Sequence, residues 1–243
     1  MTANHPCYAN ACEVLKHTQL FGALSPETRR TLVEECTPVE WKKGESIDPE
    51  TGTKYMHIVI DGKMKVTQVD PDTGRSIALF LLAPGDIFDI FTLLDGKEHI
   101  VFPIPMAPMK LLRIPLERAR EWVREHPQFN ESFLPYLGER LREIEAFSES
   151  LVFHDTTTRL ANLILHHTSQ CPDEQKGHYP VQLINNLSHE SLAELIGSVR
   201  SVVSTQMKKL KEEEIILSKK GKLVVKDLKK LMNRCDMFHK EEI

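Results

Sequence analysis

The spacing of apolar positions changes twice along the 243-residue chain, and each change marks a different kind of element. Over residues 13–37 the apolar positions Val14, Leu15, Leu20, Leu32, Val33 and Cys36 predict helices. Ser25-Pro26-Glu27 opens the second of them, a capping hydroxyl followed by proline at the first helical position. From Val39 the period shortens. Gly44, Gly52, Gly62, Gly74, Gly85 and Gly96 punctuate short apolar runs, at about the 8–12-residue interval of a small all-β barrel or sandwich. Asp61-Gly62 lies between His57-Ile58-Val59-Ile60 and Met64-Lys65-Val66-Thr67 and predicts a hairpin. Asp72-Thr73-Gly74 predicts another turn before Ile77–Leu82, and the β region ends near Ile114-Pro115.

Helical spacing then returns. Leu116 to His126 reads as a short polar helix stopped by Pro127. Beyond it Phe129, Phe133, Leu137, Leu141, Ile144, Phe147 and Leu151 recur every three or four residues, with charges elsewhere, which predicts an amphipathic helix. At about 1.5 Å per residue the stripe extends roughly 33 Å, more than a small barrel covers. The expectation is a two-stranded contact between subunits through Phe133, Leu137, Leu141, Ile144, Phe147 and Leu151. Asp155 can cap a following helix through Leu160, Leu163 and Ile164, and the polar stretch 170–179 reads as a loop.

Residues 186–221 are the most informative. Ser188 caps a helix that Gly197 breaks. Ser198-Val199 form a tight turn, and a second helix runs from Arg200 to Glu214. Helix, glycine-containing turn and helix is the helix-turn-helix pattern, with Ala193 small at the crossing. Ile215–Ser218 and Lys222–Val225, joined by Lys219-Lys220-Gly221, predict a wing. On the second helix Val202, Val203, Met207 and Leu210 are expected inside, and Arg200, Ser201, Ser204, Thr205 and Lys208 outside. A recognition helix meets base edges with its N-terminal end. A guanidinium fork suits guanine O6 and N7. Short hydroxyls and helix-terminal amides suit phosphates. The candidate DNA-binding residues are therefore Ser188, Ser198, Val199, Arg200, Ser201, Ser204, Thr205, Lys208, Lys219 and Lys220.

Charge sharpens that reading. The whole chain carries −4, but residues 187–243 hold 12 Lys+Arg against 9 Asp+Glu, while the remainder is at −7. A basic tail domain on an acidic body points to an anionic partner for the tail alone. No apolar run is long enough for a membrane span and no secretory leader precedes the body, so a cytoplasmic protein is expected. Five scattered cysteines do not make a disulfide framework. No Ser/His/Asp set, His metal cluster, phosphate loop or Gly-x-Gly-x-x-Gly motif is present, so the sequence does not read as an enzyme.

The order of parts resembles the CRP/FNR family of bacterial transcription regulators from about Leu20 to Val225. Its markers are Lys43-Gly44-Glu45, Asp61-Gly62, Pro84-Gly85-Asp86-Ile87-Phe88 and Leu192-Ala-Glu-Leu-Ile-Gly-Ser-Val-Arg200. Phe153-His154-Asp155 and Gly197–Thr205 look most like the CooA-like, CO-sensing haem branch. The resemblance implies an α+β chain. Residues 1–128 would form an effector-sensing, cyclic-nucleotide-binding-like jelly-roll barrel with N-terminal helices. Residues 129–153 would form a dimerisation helix and hinge, and 154–243 a winged helix-turn-helix domain. It implies an effector-gated homodimer on a palindromic site in double-stranded promoter DNA, with RNA polymerase as a further partner. Arg200 matches the family's guanine-reading arginine, Ser201 falls where many members carry Glu or Gln, and Thr205 replaces a common arginine.

The signal is less legible. Cyclic-nucleotide-binding members hold the phosphate with Arg-Ser, and His99-Ile100 stand at that place, which argues against cAMP. Cys7 and Cys12 with distant Cys36 depart from an iron–sulfur ligand set. Ile87, Phe88, Asp89, Phe91, His99, Ile100, Val101 and Phe102 are the candidate effector pocket, sparing in charge. Haem remains a candidate cofactor, with CO or NO as the signal. The branch's Cys and His ligands align with Asp89 and Phe91, which leaves His99, His57, His154, Met106 and Met109 as possible ligands, with His99, His154 and Met106 as the candidates. A cyclic-nucleotide-like or apolar small molecule, or no effector at all, are the alternatives. Any effect would travel as a shift between two arrangements of the DNA-binding domains about Phe153-His154-Asp155.

Overall fold

The computed structural model describes residues 1, 5–48, 50–173, 177–219 and 222–235. They form two compact units, Met1–Arg75 with Leu79–Glu143, and Ser76–Ala78 with Ile144–Ile243.

The first unit opens with three helices, α1 (Pro6–Lys16), α2 (Gln19–Gly22) and α3 (Pro26–Glu35). Each has a side-chain cap: His5 accepts from Cys7 N, Thr18 Oγ1 from Phe21 N and Ser25 Oγ from Thr28 N. The helical region thus begins earlier than its apolar spacing suggests, at Pro6, because a cap and a proline define the start rather than a hydrophobic stripe. The strands follow as β1 (Thr37–Trp41), β2 (Tyr55–Asp61) after the short α4 (Thr51–Lys54), β3 (Met64–Val69), β4 (Ser76–Leu82) and β5 (Ile87–Phe88). Then come α5 (Ile90–Asp95), β6 (Phe102–Pro105), β7 (Met109–Pro115) and α6 (Leu116–Glu125). One sheet has the order β1-β7-β2-β5 and the other β4-β3-β6.

Asp61-Gly62 does not close a hairpin. Strands β2 and β3 belong to different sheets, so the turn carries the chain round a corner. Gly62 has φ 89°, and a Cβ there would lie 2.5 Å from the Pro108 carbonyl oxygen. The dipeptide supplies the positive φ that a hairpin turn needs, and a corner needs it too. The β3–β4 turn at Asp70–Arg75 is a hairpin, with Gly74 N donating to Asp70 O at 2.8 Å.

The core of this unit packs α1–α3 against the β1-β7-β2-β5 sheet and α6. Trp122, Phe129, Phe133 and Phe21 form a run of ring contacts, with centroids 5.2 Å apart for Trp122–Phe129, 5.0 Å for Phe129–Phe133 and 5.8 Å for Phe21–Phe129. Arg118 grips Glu35 with two hydrogen bonds of 2.7 and 2.8 Å and so ties α6 to α3. Cys36 is buried here, and burial pushes its thiol up to about 12, far from a reactive thiolate.

Helix α7 (Asn130–Phe153) follows a single 3-10 turn. Its first turns are anchored in the barrel. Phe133 and Tyr136 are buried, Leu137 packs against the same core, and Ser132 Oγ donates to Leu20 O at 2.7 Å. This corrects the expectation that Phe133 lies on a subunit interface: its ring is 4% exposed and stacked on Phe129. The exposed large apolar residues of α7 are Leu134, Leu141, Leu151, Val152 and Phe153.

In the second unit Asp155 caps α8 (Thr156–His166) through Thr158 N at 2.8 Å. Helices α9 (His189–Leu195) and α10 (Arg200–Glu212) follow, with a three-stranded sheet, β8 (Tyr179–Pro180), β10 (Lys222–Val225), β9 (Ile216–Lys219), and α11 (Leu228–Met232). Leu160, Ile164, Leu192, Val203, Met207, Leu210, Ile215, Ile216 and Val225 are buried within it. Asn185 Oδ1 accepts from Leu223 N at 2.7 Å and fastens the sheet to the loop before α9. Lys220 lies outside the described residues.

Candidate DNA interface and barrel cavity

The second unit builds a helix-turn-helix from local chemistry. Ser188 Oγ caps α9 by accepting from Ser191 N at 3.1 Å. Gly197 has φ 59°, in the left-handed region that glycine tolerates, and ends the helix. Ser198 N then donates to Ala193 O at 2.8 Å and closes the turn. Ala193 and Leu192 are buried behind α10.

Helix α10 buries Val203, Met207 and Leu210, the i, i+4, i+7 positions of one face. Val199, Arg200, Ser201, Thr205 and Lys208 are exposed. Two placements differ from the sequence reading. Val202 is exposed, because it lies one residue, about 100° of helix, off the buried stripe. Ser204 is partly buried, and its Oγ shares a 2.8 Å hydrogen bond with Nδ1 of His189 on α9. Burial, helped by Lys211 and Arg200, lowers the His189 pKa and favours the neutral ring. Thr205 Oγ1 is turned back onto its own helix, donating to Ser201 O at 3.0 Å. Lys208 stands 3.6 Å from Glu212, with both side chains largely exposed, a pair that salt screens. The His189–Ser204 link had no motif to announce it, since it joins two helices through a turn.

In the first unit the candidate effector residues divide. Ile87, Asp89, Phe91, His99 and Val101 line one small cavity with Val66, Phe80, Leu82, Ile90, Tyr136 and Arg140. Phe88 lies in the barrel core, Ile100 is 62% exposed, and Phe102 is a β6 residue not on the cavity wall. Strand alternation explains the split, since neighbours in an extended run face opposite ways.

Asp89 is the unusual residue here. It takes φ 59° and ψ 58°, left-handed for a non-glycine, and its side chain is 2% exposed. One carboxylate oxygen is 3.0 Å from His99 Nδ1 and the other accepts from Thr92 Oγ1 at 2.6 Å. A Cβ at Gly52 would lie 2.5 Å from that second oxygen, so glycine makes the space. His99 is turned by Asp89 with its ring edge-on to Phe91 at 5.3 Å. Across the cavity Tyr136 Oη donates to Asp86 Oδ1 at 3.2 Å, and Arg140 pairs with Glu143 at 2.9 Å. Burial raises the pKa of both Asp86 and Glu143.

The cavity measures about 20 Å³, space for a single water. Haem does not fit that arrangement. Met106 sits on the β6–β7 connection with its N bonded to Lys63 O, and His154 belongs to the second unit. Among the described residues no three His, Cys, Asp or Glu side chains are grouped to hold a metal ion. No helix among them is long and apolar enough to cross a membrane.

Residues 158–234 match the Crp-like helix-turn-helix domain. A CRP-like cAMP-activated global transcriptional regulator of Mycobacterium tuberculosis is 23% identical over 91% of this chain and 98% of that protein. A global nitrogen regulator of Nostoc sp. is 26% identical over 73% and 79%. Among solved structures, a CooA mutant from Carboxydothermus hydrogenoformans aligns with a TM-score of 0.68 at 22% identity, covering 84% of this chain and 89% of that one. FixK2 from Bradyrhizobium japonicum aligns at 0.69 and 17% identity, covering 83% and 98%. Residues 158–234 thus form a Crp-like helix-turn-helix domain, and most of the chain is similar to transcription regulators of the CRP/FNR type. Its relatives are regulators rather than enzymes.

Proposed function

We propose that the protein acts in the cytoplasm as an effector-responsive homodimer that reads a palindromic promoter site, one α10 per half-site. The observation that carries this is the exposed N-terminal end of α10, where Arg200 and Ser201 stand free above a buried Val203-Met207-Leu210 face. Arg200 is the guanine reader, and Ser201, Thr205 and Lys208 supply shorter or phosphate contacts. Ser188 and Ser198 contribute through their turn and cap positions. Ser204 is held by His189 and so positions α9 against α10 rather than reaching for a base. The second copy is supported by α7. Leu134 and Leu141 are each more than 60% exposed and lie one heptad apart, and Val152 and Phe153 are each 74% exposed. With Leu151 they replace Phe133 in the proposed subunit contact, which also draws on Ile144 and Phe147. Twofold pairing would match a palindrome and present two α10 helices one DNA turn apart.

The test is a gel shift on fragments enriched by the wild type, with sedimentation of the bound species. Arg200→Ala is expected to lose about 5- to 150-fold in affinity per half-site, roughly 1–3 kcal/mol for each lost contact, and to relax selectivity at one guanine per half-site. An unchanged affinity, or a monomer as the bound species, would overturn the reading.

For the signal, the barrel geometry supports a polar effector small enough for a water-sized cavity, engaging the Asp89–His99 pair, better than haem-bound CO or NO, or cAMP. A left-handed residue holding a buried carboxylate is costly, and such strain gathers at functional sites. A cyclic phosphate arriving here would face the Asp89 carboxylate, and the cavity's Arg140 is already paired with Glu143. The visible spectrum of freshly purified protein is expected to show no Soret band. A Soret band lost in His99→Ala would restore the haem reading.

A further inference from the structure

We infer that Val199 and Val202 form an apolar edge that reads thymine methyl groups beside the guanine assigned to Arg200; this rests on α10 lying in the major groove as proposed above. Both side chains are large, apolar and exposed, 53% for Val199 and 36% for Val202. They are three residues apart and so adjacent on one flank of the helix start. The opposite flank is taken up by Ser204, bound to His189 of α9. Neither valine belongs to the buried core. Val199 occupies the N-cap and makes no side-chain capping hydrogen bond, where Ser, Thr, Asp or Asn would stabilise the helix. Val202 is β-branched in a helix and lies outside the buried stripe. Nor can a valine side chain bind a phosphate.

The groove offers one apolar group that such an edge can recognise, the C5 methyl of thymine. The surrounding chemistry already fits DNA, with Arg200, Lys208, Lys209 and Lys211 on the same helix. Each half-site is then a guanine flanked by thymine, read by a cation and by two valines. Arg200 selects by hydrogen bonds and the valines by contact, so the two selections are separable.

The experiment uses the full-length protein and operators enriched from a random duplex pool. Each thymine near the selected guanine is replaced by uracil, which keeps the base pair and removes only the methyl. Binding by the wild type is expected to weaken about fourfold per contacted methyl. In Val199→Ala/Val202→Ala the thymine and uracil operators should bind alike, while guanine selectivity persists. Because both sites are at the surface, the variant should melt with the wild type, which circular dichroism checks. Equal wild-type affinity for every thymine and uracil pair would overturn the inference and leave the Arg200 reading standing. So would a double variant that still discriminates them. A pool that yields no enriched duplex at all would overturn both.

Discussion

Phe129→Ala is expected to cost about 3–5 kcal/mol of stability, the largest effect of any substitution considered for this chain. The ring is 1% exposed and touches three others, Phe21 at 5.8 Å, Trp122 at 5.2 Å and Phe133 at 5.0 Å between centroids. These belong to α2, α6 and the start of α7, so the ring joins three helices rather than filling one layer. Truncation forfeits the transfer energy of a phenyl group and leaves a cavity that neighbours on separate helices cannot readily close. Aromatic pairs add a geometric contribution beyond area. Urea unfolding of wild type and variant measures the difference. A loss below about 1 kcal/mol would mean that the helices relax into the gap, and the anchor assigned to α7 would be wrong.

The second large effect is set by pH. His57 is 1% exposed and ringed by Trp41, Tyr55 and Phe88, and its Nδ1 has no hydrogen-bond partner among the described residues. Burial, with Arg113 adding its charge, lowers its pKa to about 4. In the unfolded chain the imidazole titrates near about 6.5. Between these values the unfolded state binds the extra proton. The native fold therefore keeps the full contribution above about pH 6.5 and loses it progressively as pH falls toward 4. The displacement corresponds to roughly 3 kcal/mol. Asp86, raised by burial, works in the opposite sense and is common to both proteins in the comparison. The readout is thus the difference between wild type and His57→Leu: the variant should lose less stability from pH 6.5 to 4.5. Parallel pH profiles would show that His57 is not the group responsible.

Some of this could be seen in the residues and some could not, for physical reasons. The Ser188, Gly197 and Arg200 positions of the helix-turn-helix follow from local chemistry, since caps and positive-φ glycines act within a few residues. The long α7 was visible in its three-four spacing. The same spacing could not say which side of the stripe meets the chain's own barrel, and Phe133 went inside while Leu134, one residue away, stayed out. Val202 misled because two adjacent valines look alike when only one can sit on a buried face. The Asp61-Gly62 turn was right as a turn and wrong as a hairpin, because strand partners are settled by distant segments. The Asp89–His99 pair, ten residues apart, depends on Gly52 and Thr92 to shape its space, and no local rule connects those four positions.

The strand order also bears on how the chain is made. Strand β7 lies between β1 and β2, so those two strands share a neighbour that is synthesised some fifty residues after β2 begins. Until Pro115 has left the ribosome, the first sheet lacks an inner member, so β1 is unpaired and β2, paired only with β5, has one open, aggregation-prone edge. Pairings this far apart in sequence are slow to close. Chains truncated before Met109 should therefore be handed to chaperones or proteases rather than accumulate as a smaller barrel.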